Sequence, residues 1–325
     1  MNVLFVTSGN KTGEPGAVVK NQADSLNNPS VSVKFFLIVG RGLNGYFKAG
    51  IKLRKFLKKN NVDIIHAHYT LSGWSAVLGA GKTPVVLSLM GSDTYGEYVA
   101  PNKVKLSSKF NTILTYLIQP FVKVIISKSY NIEKYVWLKK KSLKIPNGVS
   151  LNTYYTSKKE YLNELGLNKE TQYIIFFGDK ANKRKNYRLF KEAIDRIKNL
   201  NFIALNPFPV DAVDIPKYLN SVNLLVLTSL AEGSPNIVKE AMACNCPIVA
   251  TDVGDVRWLF GDEPGHFITS FNPADVAEKI KKALKFSEEF GRTNGRQRII
   301  DLGLDSETVA QRIIEVYNEV LRKDK

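Results

Sequence analysis

The sequence has 325 residues, which favours two domains because a single core rarely organises more than about 300 residues. Its 44% hydrophobic and 23% charged residues are typical of a globular protein and exclude a disordered or fibrous chain. Its longest apolar runs fall short of the roughly 18 residues that a membrane span needs, and it opens without the basic segment of a signal peptide. We therefore expect a cytoplasmic protein without a signal peptide.

The positive charge is concentrated in the first half of the chain. Residues 1–150 hold 21 Lys and Arg against 6 Asp and Glu, whereas the remainder holds 25 against 24. Such a field suits an anionic partner, namely a lipid surface, a phosphate-bearing acceptor or a nucleic acid, although solubility charge produces the same balance. The basic residues are spread out and lack interleaved aromatic stacking motifs, so we expect no nucleic acid partner.

Short β-branched runs alternate with helix-like stretches along the whole chain. In the first half, strands are predicted at 2–7, 31–39, 62–68, 84–89, 122–127 and 143–145, and helices at 17–26, 46–59, 72–80, 109–119 and 130–138. In the second half, strands are predicted at 173–177, 202–205, 224–227, 247–250 and 266–268, and helices at 186–199, 215–220, 235–244 and 273–286. This alternation predicts an α/β fold with two doubly wound, parallel sheets.

A turn cluster at residues 146–148, followed by a polar, Tyr-rich stretch, marks the break between the domains. We predict an N-terminal domain over 1–149, a C-terminal domain over 150–305 and a last helix within 306–325. The sequence leaves open on which domain that helix packs, and packing back on the N-terminal domain is one prediction. Two such domains leave a cleft at the carboxyl ends of both sheets, where such sheets bind ligands.

Residues 228–242 form the motif that is most informative about a binding site. They follow an apolar strand and open a helix, for which Ser234 is predicted as the N-cap and Pro235 as the first residue. The free backbone N–H groups of Asn236 and Ile237, at the positive end of the helix, favour an anion such as a phosphate.

Two carboxylates flank this helix start. Glu232 precedes the helix and Glu240 lies within it, and carboxylates accept hydrogen bonds from the vicinal hydroxyls of a ribose or a hexose. Each glutamate alone is equally typical of a solvated loop or helix. In the context of strand, acidic loop and helix start, the pair predicts a nucleotide-sugar site.

The glutamate pair and its surroundings resemble the donor-site signature of retaining GT-B glycosyltransferases of the group 1, or family 4, type. Glu232 and Glu240 form the E-x7-E motif of that family. Residues 63–68, 145–149 and 177–186 resemble its third-strand motif, its interdomain turn and its diphosphate loop. The resemblance extends in order over nearly the whole chain. It implies the GT-B fold, in which two Rossmann-like domains face each other across a cleft.

The resemblance also implies roles for the matched residues. Glu232 would contact hydroxyls of the donor sugar, Glu240 would hold the ribose, and Lys185 would neutralise the leaving diphosphate as its negative charge develops. The backbone implied to meet the sugar and the diphosphate belongs to Gly233, Ser234, Pro235, Asn236 and Ile237.

One departure from the family pattern lies in the diphosphate loop. The family usually has an Arg directly after the loop glycine, where this chain has Asp179. Lys180, Lys183 or Arg184 is expected to supply the missing cation, and Lys180 is favoured. A solvated loop is the alternative interpretation of this basic run.

A second departure follows strand 84–89, where the family commonly places a His and this chain has Met90. The departing phosphate can itself take the acceptor proton, so a protein base is not obligatory. Asp93 is the best remaining acid nearby. His68 lies behind it, at a strand end where a structural role is equally typical.

Further candidates lie around the first two strands and the interdomain turn. The loop with Gly13 and Gly16 lacks the G-x-G-x-x-G spacing of dinucleotide-binding proteins, which argues against a dehydrogenase. The family resemblance implies that this loop contacts the donor diphosphate and the acceptor. His68, Arg41 and Asn147 are predicted to lie near the acceptor or elsewhere in the cleft.

The predicted helix 109–119 is amphipathic, with apolar residues at helical spacing. Core packing is the favoured interpretation. A membrane-surface role together with Lys103, Lys105 and Lys123 is the alternative. Cys244 and Cys246 are predicted to be small, buried and reduced.

The sequence therefore predicts a retaining hexosyltransferase that moves a sugar from a nucleotide diphosphate sugar to a lipid-linked or surface-polysaccharide intermediate. We expect it in the cytoplasm, peripheral on the inner face of the membrane, with no cofactor and no essential metal. The alternatives are a nucleotide-sugar epimerase or hydrolase that acts on the donor alone, and a nucleotide-sugar-binding protein with weak catalysis. The base, the sugar, the acceptor and the linkage do not follow from the sequence.

Overall fold

The computed structural model describes residues 1–10, 13–40, 42–157 and 161–323. Its strands are β1 (Asn2–Ser8), β2 (Ser32–Ile38), β3 (Ile64–His68), β4 (Val85–Leu89), β5 (Tyr98–Ala100), β6 (Lys103–Val104), β7 (Val124–Ser127), β8 (Ser142–Lys144), β9 (Gln172–Ile175), β10 (Phe202–Leu205), β11 (Leu224–Leu227), β12 (Ile248–Thr251) and β13 (His266–Thr269). Its α-helices are α1 (Ala17–Leu26), α2 (Gly42–Leu57), α3 (Thr70–Gly79), α4 (Ser92–Tyr95), α5 (Lys109–Ile118), α6 (Tyr130–Glu133), α7 (Tyr187–Arg196), α8 (Ile215–Ser221), α9 (Asn236–Ala243), α10 (Val256–Phe260), α11 (Pro273–Phe290), α12 (Gly295–Asp301) and α13 (Ser306–Lys323).

Two compact units divide the chain. The N-terminal unit consists of Met1–Glu97, Val104–Gly148 and α13, and the C-terminal unit consists of Tyr98–Lys103 and Val149–Asp305. In the N-terminal unit α13 packs against α1. A helix from the far end of the sequence therefore completes the unit in which the sequence starts.

The N-terminal unit is built on a parallel sheet with the strand order β2-β1-β3-β4-β7-β8. Its central strands are almost continuously apolar and buried, because helices cover both faces of a parallel sheet. One face packs against α2, α3 and α5. The buried residues shared between this face and those helices include Leu4, Ile65, Leu87, Leu53, Ala76 and Ile118.

The other face of this sheet is polar toward the carboxyl ends of its strands. Side chains alternate between the faces of a strand, so His66 lies on the face opposite to Ile65. One ring nitrogen of His66 lies 2.5 Å from the Tyr317 hydroxyl of α13, and the other lies 2.8 Å from Ser88 Oγ. Burial, and then the charges of His68 and Lys128, lower the pKa of His66 well below its usual value. The neutral imidazole thus joins the last helix to the sheet.

The C-terminal unit has a second parallel sheet, with the strand order β10-β9-β11-β12-β13. Its central strands β11 and β12 are fully buried. Helices α7 and α11 cover one face of the sheet. The core residues on that side include Ile174, Val226, Val249, Leu189, Ala193 and Ile280.

The predicted α/β class with two doubly wound, parallel sheets is confirmed. The bounds of 17–26, 202–205 and 224–227 agree with the predicted ones. The predicted helix 130–138 is wrong beyond Glu133, because the N–H groups of Trp137 and Leu138 donate to Gln119 Oε1, at 2.9 and 3.1 Å, instead of continuing the helix.

The sequence analysis missed helices α10 and α12. Each has fewer than eight residues. A segment of that length shows about two turns, too few for an apolar period of 3.6 residues to stand out.

Tyr317→Phe tests the contact between α13 and the sheet. It leaves a buried nitrogen of His66 without its partner, so we expect the free energy of unfolding to fall by about 1–3 kcal/mol. Urea unfolding followed by circular dichroism measures the loss, with Asn318→Ala on the exposed side of α13 as the control. Identical unfolding curves for Tyr317→Phe and the parent protein would show that the hydrogen bond contributes nothing.

Candidate functional site

Two loops meet at the carboxyl edge of the second sheet. One follows β9 and the other follows β11, and these strands are neighbours. The Thr228 hydroxyl donates to the carbonyl oxygens of Lys185 and Asn186 at 3.2 and 3.0 Å, and the Leu230 N–H donates to that of Arg184 at 2.8 Å. These bonds tie the two loops side by side.

Helix α9, which follows the second loop, begins one residue later than predicted. Pro235 is the N-cap, with extended angles of φ −69° and ψ 113°, and Asn236 is the first helical residue. The predicted capping role of Ser234 is wrong, because its hydroxyl oxygen accepts a hydrogen bond from Lys239 Nζ at 3.0 Å. The N–H groups of Asn236 and Ile237 remain in the first turn, where a helix supplies no partner for them.

The Glu232 carboxylate lies between two basic side chains. Arg184 Nη1 approaches Oε2 at 2.5 Å, and Lys185 Nζ approaches Oε1 at 2.9 Å. Ser229 Oγ also donates to Oε1, at 2.8 Å. Burial would raise the pKa of Glu232, but the charges of Lys185 and Arg184 outweigh burial and lower it. Glu232 is therefore an anion held by two cations.

In the loop after β9, the basic residues that reach Glu232 are not all those that the sequence favoured. Lys183–Lys185 form a 3-10 turn whose last two side chains reach Glu232. Lys180 is exposed, with its Nζ 5.1 Å from the centre of the Tyr187 ring. The structure thus brings Arg184 and Lys185 to Glu232 and does not bring Lys180 there. Contact of Lys180 with a diphosphate stays a prediction.

Glu240 lies in a different environment from Glu232. Its carboxylate accepts a hydrogen bond from the hydroxyl of Tyr154, a residue that is only 7% exposed. Burial raises the pKa of Glu240 to about 7, against the opposing effects of the Tyr154 hydrogen bond and the charges of Lys239 and Lys185. Burial and the charge of Glu240 raise the pKa of Tyr154, so its hydroxyl keeps its proton. Glu240 therefore exchanges a proton near neutral pH.

Arg296 fixes the segment that carries Tyr154. Its Nη1 donates to the carbonyl oxygens of Tyr154 and Ala243 at 2.7 and 3.1 Å, and its Nη2 donates to that of Leu151 at 3.0 Å. The guanidinium thereby connects this segment to the end of α9. The backbone of Tyr154 and the end of the helix that carries Glu240 are therefore held by one guanidinium.

Tyr154 and Lys239 are two residues that the sequence analysis missed. Lys239 is fully buried, and burial lowers its pKa to about 8 against the opposing charges of Asp255 and Glu240. Its sequence feature is a charged residue between the apolar residues Val238 and Ala241 of α9. Tyr154 has no local feature of this kind, because its contact with Glu240 joins distant parts of the sequence.

Asp93 is fully buried within the N-terminal unit. Its Oδ1 accepts the N–H groups of Gly91 and Met90 at 2.8 and 3.0 Å, and its Oδ2 accepts that of Thr70 at 3.0 Å. Burial raises the pKa of Asp93 against these backbone hydrogen bonds. The carboxylate thus holds the turn after β4 against the start of α3, and its catalytic role stays a prediction.

His68 is also enclosed in the N-terminal unit. It is 1% exposed, stacks on His66 with 4.3 Å between ring centroids, and lies 4.5 Å from the ring of Phe5. Burial, and then the charge of Lys128, lower the pKa of His68 well below its usual value. The imidazole is therefore neutral and packed among rings. Its predicted place near the acceptor stays a prediction.

Of the remaining predicted site residues, Gly13, Gly16 and Asn147 lie outside the helices and strands. Gly13 has a positive φ of 75°, and a Cβ added there or at Gly16 would meet no atom within 4 Å. Asn147 lies after β8, next to the end of the N-terminal unit. Arg41 lies outside the described residues. The predicted contacts of these four residues stay predictions.

Cys244 and Cys246 are buried free thiols, as predicted. Burial raises their pKa values to about 12 and about 11, which keeps both protonated. In the part of the chain that the structure describes, no group of three or more His, Cys, Asp or Glu side chains is arranged to hold a metal ion. None of the described helices combines the length and the apolar composition needed to cross a membrane.

Two family models match separate parts of the chain. A model described as glycosyl transferases group 1 matches residues 206–285, and a model described as glycosyl transferase 4-like matches residues 18–129. The first match contains both Glu232 and Glu240. The second contains most of the first sheet and Asp93.

Several curated proteins are similar in sequence. TuaC of Bacillus subtilis, assigned to teichuronic acid biosynthesis, is 27% identical over 68% of this chain, and the match spans only 61% of TuaC. The Campylobacter jejuni α-1,3-N-acetylgalactosaminyltransferase named for N,N'-diacetylbacillosaminyl-diphospho-undecaprenol is 26% identical over 83% of this chain and 80% of its own length. The Escherichia coli UDP-Gal:α-D-GlcNAc-diphosphoundecaprenol α-1,3-galactosyltransferase is 25% identical over 86% of this chain and 77% of its own length.

Solved structures share the fold over nearly the whole chain. Sucrose-phosphate synthase from Thermosynechococcus elongatus has a TM-score of 0.84 at 16% identity, covering 99% of this chain and 100% of that one. HepE from Anabaena, in complex with UDP and glucose, has a TM-score of 0.75 at 16% identity, and the match covers 98% of this chain and 100% of the HepE chain. Together with the two family models, this shared fold supports a glycosyltransferase with the GT-B fold, in agreement with the sequence prediction.

Glu240→Gln tests the near-neutral pKa. The ordinary value for a glutamate is 4.5, so between that pH and about 7 the folded protein binds a proton that the unfolded chain releases. The stabilisation from the raised pKa is therefore complete at low pH and lost as the pH rises through about 7. We expect the free energy of unfolding of the parent protein, relative to Glu240→Gln, to fall between about pH 5 and about pH 7.5.

Urea unfolding at both pH values measures this difference, with the exposed Glu288→Gln as the matched control. The control is expected to follow the parent protein at both pH values. The same pH dependence in Glu240→Gln and the parent protein would contradict the raised pKa.

Proposed function

We propose that this chain is a retaining glycosyltransferase of the hexosyltransferase type, which moves a sugar from a nucleoside diphosphate sugar to a glycan acceptor. The observation that carries the proposal is the contact of Glu232 with Arg184 and Lys185 at the carboxyl edge of the second sheet. Ligands of open α/β sheets bind at that edge. The contact combines the two charges that such a donor needs, cations for a diphosphate and a carboxylate for sugar hydroxyls.

The donor would bind by exchanging one ion pair for another. The diphosphate attracts Arg184 and Lys185 more strongly than a single carboxylate does, because it carries more negative charge. Glu232, released from its cations, then accepts hydrogen bonds from hydroxyls of the transferred sugar. In the free protein, Glu232 would thus hold Arg184 and Lys185 in place, and in the complex it would bind the sugar hydroxyls of the donor instead.

The nucleoside would be held by Glu240, whose carboxylate accepts hydrogen bonds from the two ribose hydroxyls. Tyr154 donates to the same carboxylate and fixes its orientation. The backbone N–H groups in the first turn of α9 are available to the diphosphate, where the positive end of the helix favours an anion. We also propose that Gly13 and Gly16 allow the loop before α1 to approach the donor.

The chemical step would retain the configuration of the sugar. The bond from the anomeric carbon to the diphosphate oxygen breaks, Lys185 and Arg184 stabilise the charge that develops on the leaving group, and the acceptor oxygen attacks from the same side. The acceptor proton passes to the departing phosphate oxygen. This route needs no protein base, which fits Met90 at the family His position and an Asp93 carboxylate engaged by three backbone N–H groups.

The acceptor would be a lipid-linked glycan intermediate of a surface polysaccharide. The names of the Campylobacter jejuni and Escherichia coli relatives contain diphospho-undecaprenol and diphosphoundecaprenol acceptors, which support this class. We place the reaction in the cytoplasm, at the inner face of the membrane. We further propose that no metal ion is essential, because Arg184 and Lys185 can supply the positive charge that a diphosphate leaving group requires.

Calorimetric titration with UDP, GDP, ADP and CMP tests the donor class. We expect one nucleoside diphosphate to bind and Glu240→Ala to weaken it at least about tenfold, because two hydrogen bonds to a charged group are lost. Binding of none of the three diphosphates UDP, GDP and ADP would contradict the proposed donor site. With the matching nucleotide sugar, conversion of the donor without any acceptor would favour the epimerase or hydrolase over the transferase.

Glu232→Gln tests the exchange of ion pairs. Its neutral amide no longer competes for Arg184 and Lys185, so we expect the nucleoside diphosphate to bind at least as tightly as to the parent protein. We expect kcat with the complete donor to fall on the order of 100-fold, because a contact to the reacting sugar is lost. Lys185→Met should weaken diphosphate binding, and Glu192→Gln on α7 is the control with an exposed glutamate. Equal loss of nucleotide binding in Glu232→Gln and Lys185→Met would contradict the exchange.

A further inference from the structure

The N-terminal unit exposes large apolar side chains along α5. Phe110, Ile113 and Leu117 of this helix are 47%, 54% and 55% exposed, and Leu106 before it is 79% exposed. Phe121 follows the helix and is 61% exposed. This much apolar surface on one short segment is typical of an interaction site.

These side chains are fixed on the outside because the inner side of α5 is already engaged. Thr115 and Ile118 are fully buried, and the Thr115 hydroxyl donates to the backbone oxygen of Asp93 at 2.7 Å. Trp74 Nε1 of α3 donates to the backbone oxygen of Leu114 at 3.2 Å. The helix cannot rotate its apolar stripe inward without breaking these contacts.

Helix α2 has the same pattern. Leu43, Phe47 and Ile51 stand four residues apart and are 50–55% exposed, whereas Ala49 and Leu53 are buried. Helix α3 packs against both α2 and α5, and all three contribute to the core on one face of the first sheet. Their exposed apolar side chains therefore lie on the side of this helix layer that is turned away from the sheet, which we call the outer apolar face.

Lysines adjoin the apolar residues of the outer apolar face. Residues 103–144 contain ten lysines and one glutamate, although Lys128 of this set is buried. On α2 and α5, exposed lysines adjoin the apolar side chains directly in sequence, as at Lys48, Lys52 and Lys109. A lysine lays its aliphatic stem along apolar surface and holds its ammonium group outward, so each of these residues can serve both surfaces.

We propose that the outer apolar face docks on the surface of an anionic lipid bilayer. A bilayer of this kind offers apolar chains just beneath negative headgroups, which matches apolar side chains fringed by lysines. A second copy of the chain would bring the same lysines against each other, and like charges oppose such an interface. The docking follows from this face alone, whereas its purpose, access to a lipid-linked acceptor, rests on the proposed function.

Co-sedimentation of the full chain with vesicles tests the docking. Vesicles of phosphatidylcholine alone are compared with vesicles that contain about 30% phosphatidylglycerol. We expect the parent protein to bind the anionic vesicles and to leave the neutral ones in solution. In the double variant Phe110→Ser and Leu117→Ser, we expect vesicle affinity to fall at least about tenfold, because buried apolar area is lost.

The matched control is the double variant Val213→Ser and Phe290→Ser, which removes two apolar side chains of the C-terminal unit that are even more exposed, at 72% and 68%. It is expected to bind as the parent protein does. A second variant, Lys48→Gln with Lys109→Gln, keeps the apolar residues and is expected to lose at least about tenfold in affinity for anionic vesicles. Salt at about 0.5 M should weaken binding of the parent protein in the same way, because it screens exposed charges.

Three results would overturn the proposal. They are failure of the parent protein to bind anionic vesicles, equal binding to both kinds of vesicle, and unchanged binding by Phe110→Ser with Leu117→Ser. Sedimentation velocity adds a fourth, a parent dimer that this variant converts to a monomer, which would make the face a protein interface. Nucleotide titration of the parent protein separates the two hypotheses. Failure of the parent protein to bind any nucleoside diphosphate would contradict the transferase and leave the vesicle result standing.

Discussion

The contact of Glu232 with Arg184 and Lys185 is the interaction on which the arrangement of the two loops at the edge of the second sheet depends. A nearly buried carboxylate needs paired charges, and removing one partner leaves a charge that the protein interior does not compensate. Because the carboxylate and the cations stand on different loops, each loop holds the other in place at the edge of the sheet. The carboxylate and the two cations are therefore held side by side in the free protein.

The two carboxylates of the motif show how environment separates identical side chains. Glu232 faces two cations and has a lowered pKa, whereas Glu240 faces a phenol and has a pKa raised to about 7. Burial acts on both in the same direction, so the difference comes from the partners. One motif thus holds a permanent anion and, eight residues further along, a carboxyl group whose charge depends on the pH of the surroundings.

The sequence predicted the features that depend on short-range patterns, and the structure added those that depend on distant contacts. The apolar strands, the parallel sheets and the place of the glutamate pair follow from local periodicity and spacing. Arg184, and not Lys180, contacts Glu232 because of the 3-10 turn at Lys183–Lys185, which no sequence pattern indicates. The prediction of Ser234 as the N-cap is wrong because its hydroxyl accepts a hydrogen bond from Lys239. The burial of Asp93 depends on the contact between the turn after β4 and the start of α3, which are separate in the sequence. Tyr154 could not be predicted, because its partner lies in another part of the chain.

The place of α13 in the N-terminal unit has a consequence for how the protein is made. The ribosome delivers the strands of the first sheet early, but the helix that carries Tyr317 emerges only after the whole C-terminal unit. Until then His66 lacks one partner and α1 lacks the helix it packs against. Domains usually fold in the order of synthesis. Here the N-terminal unit completes its packing only after the chain of the C-terminal unit has been made, because α13 follows that unit in the sequence.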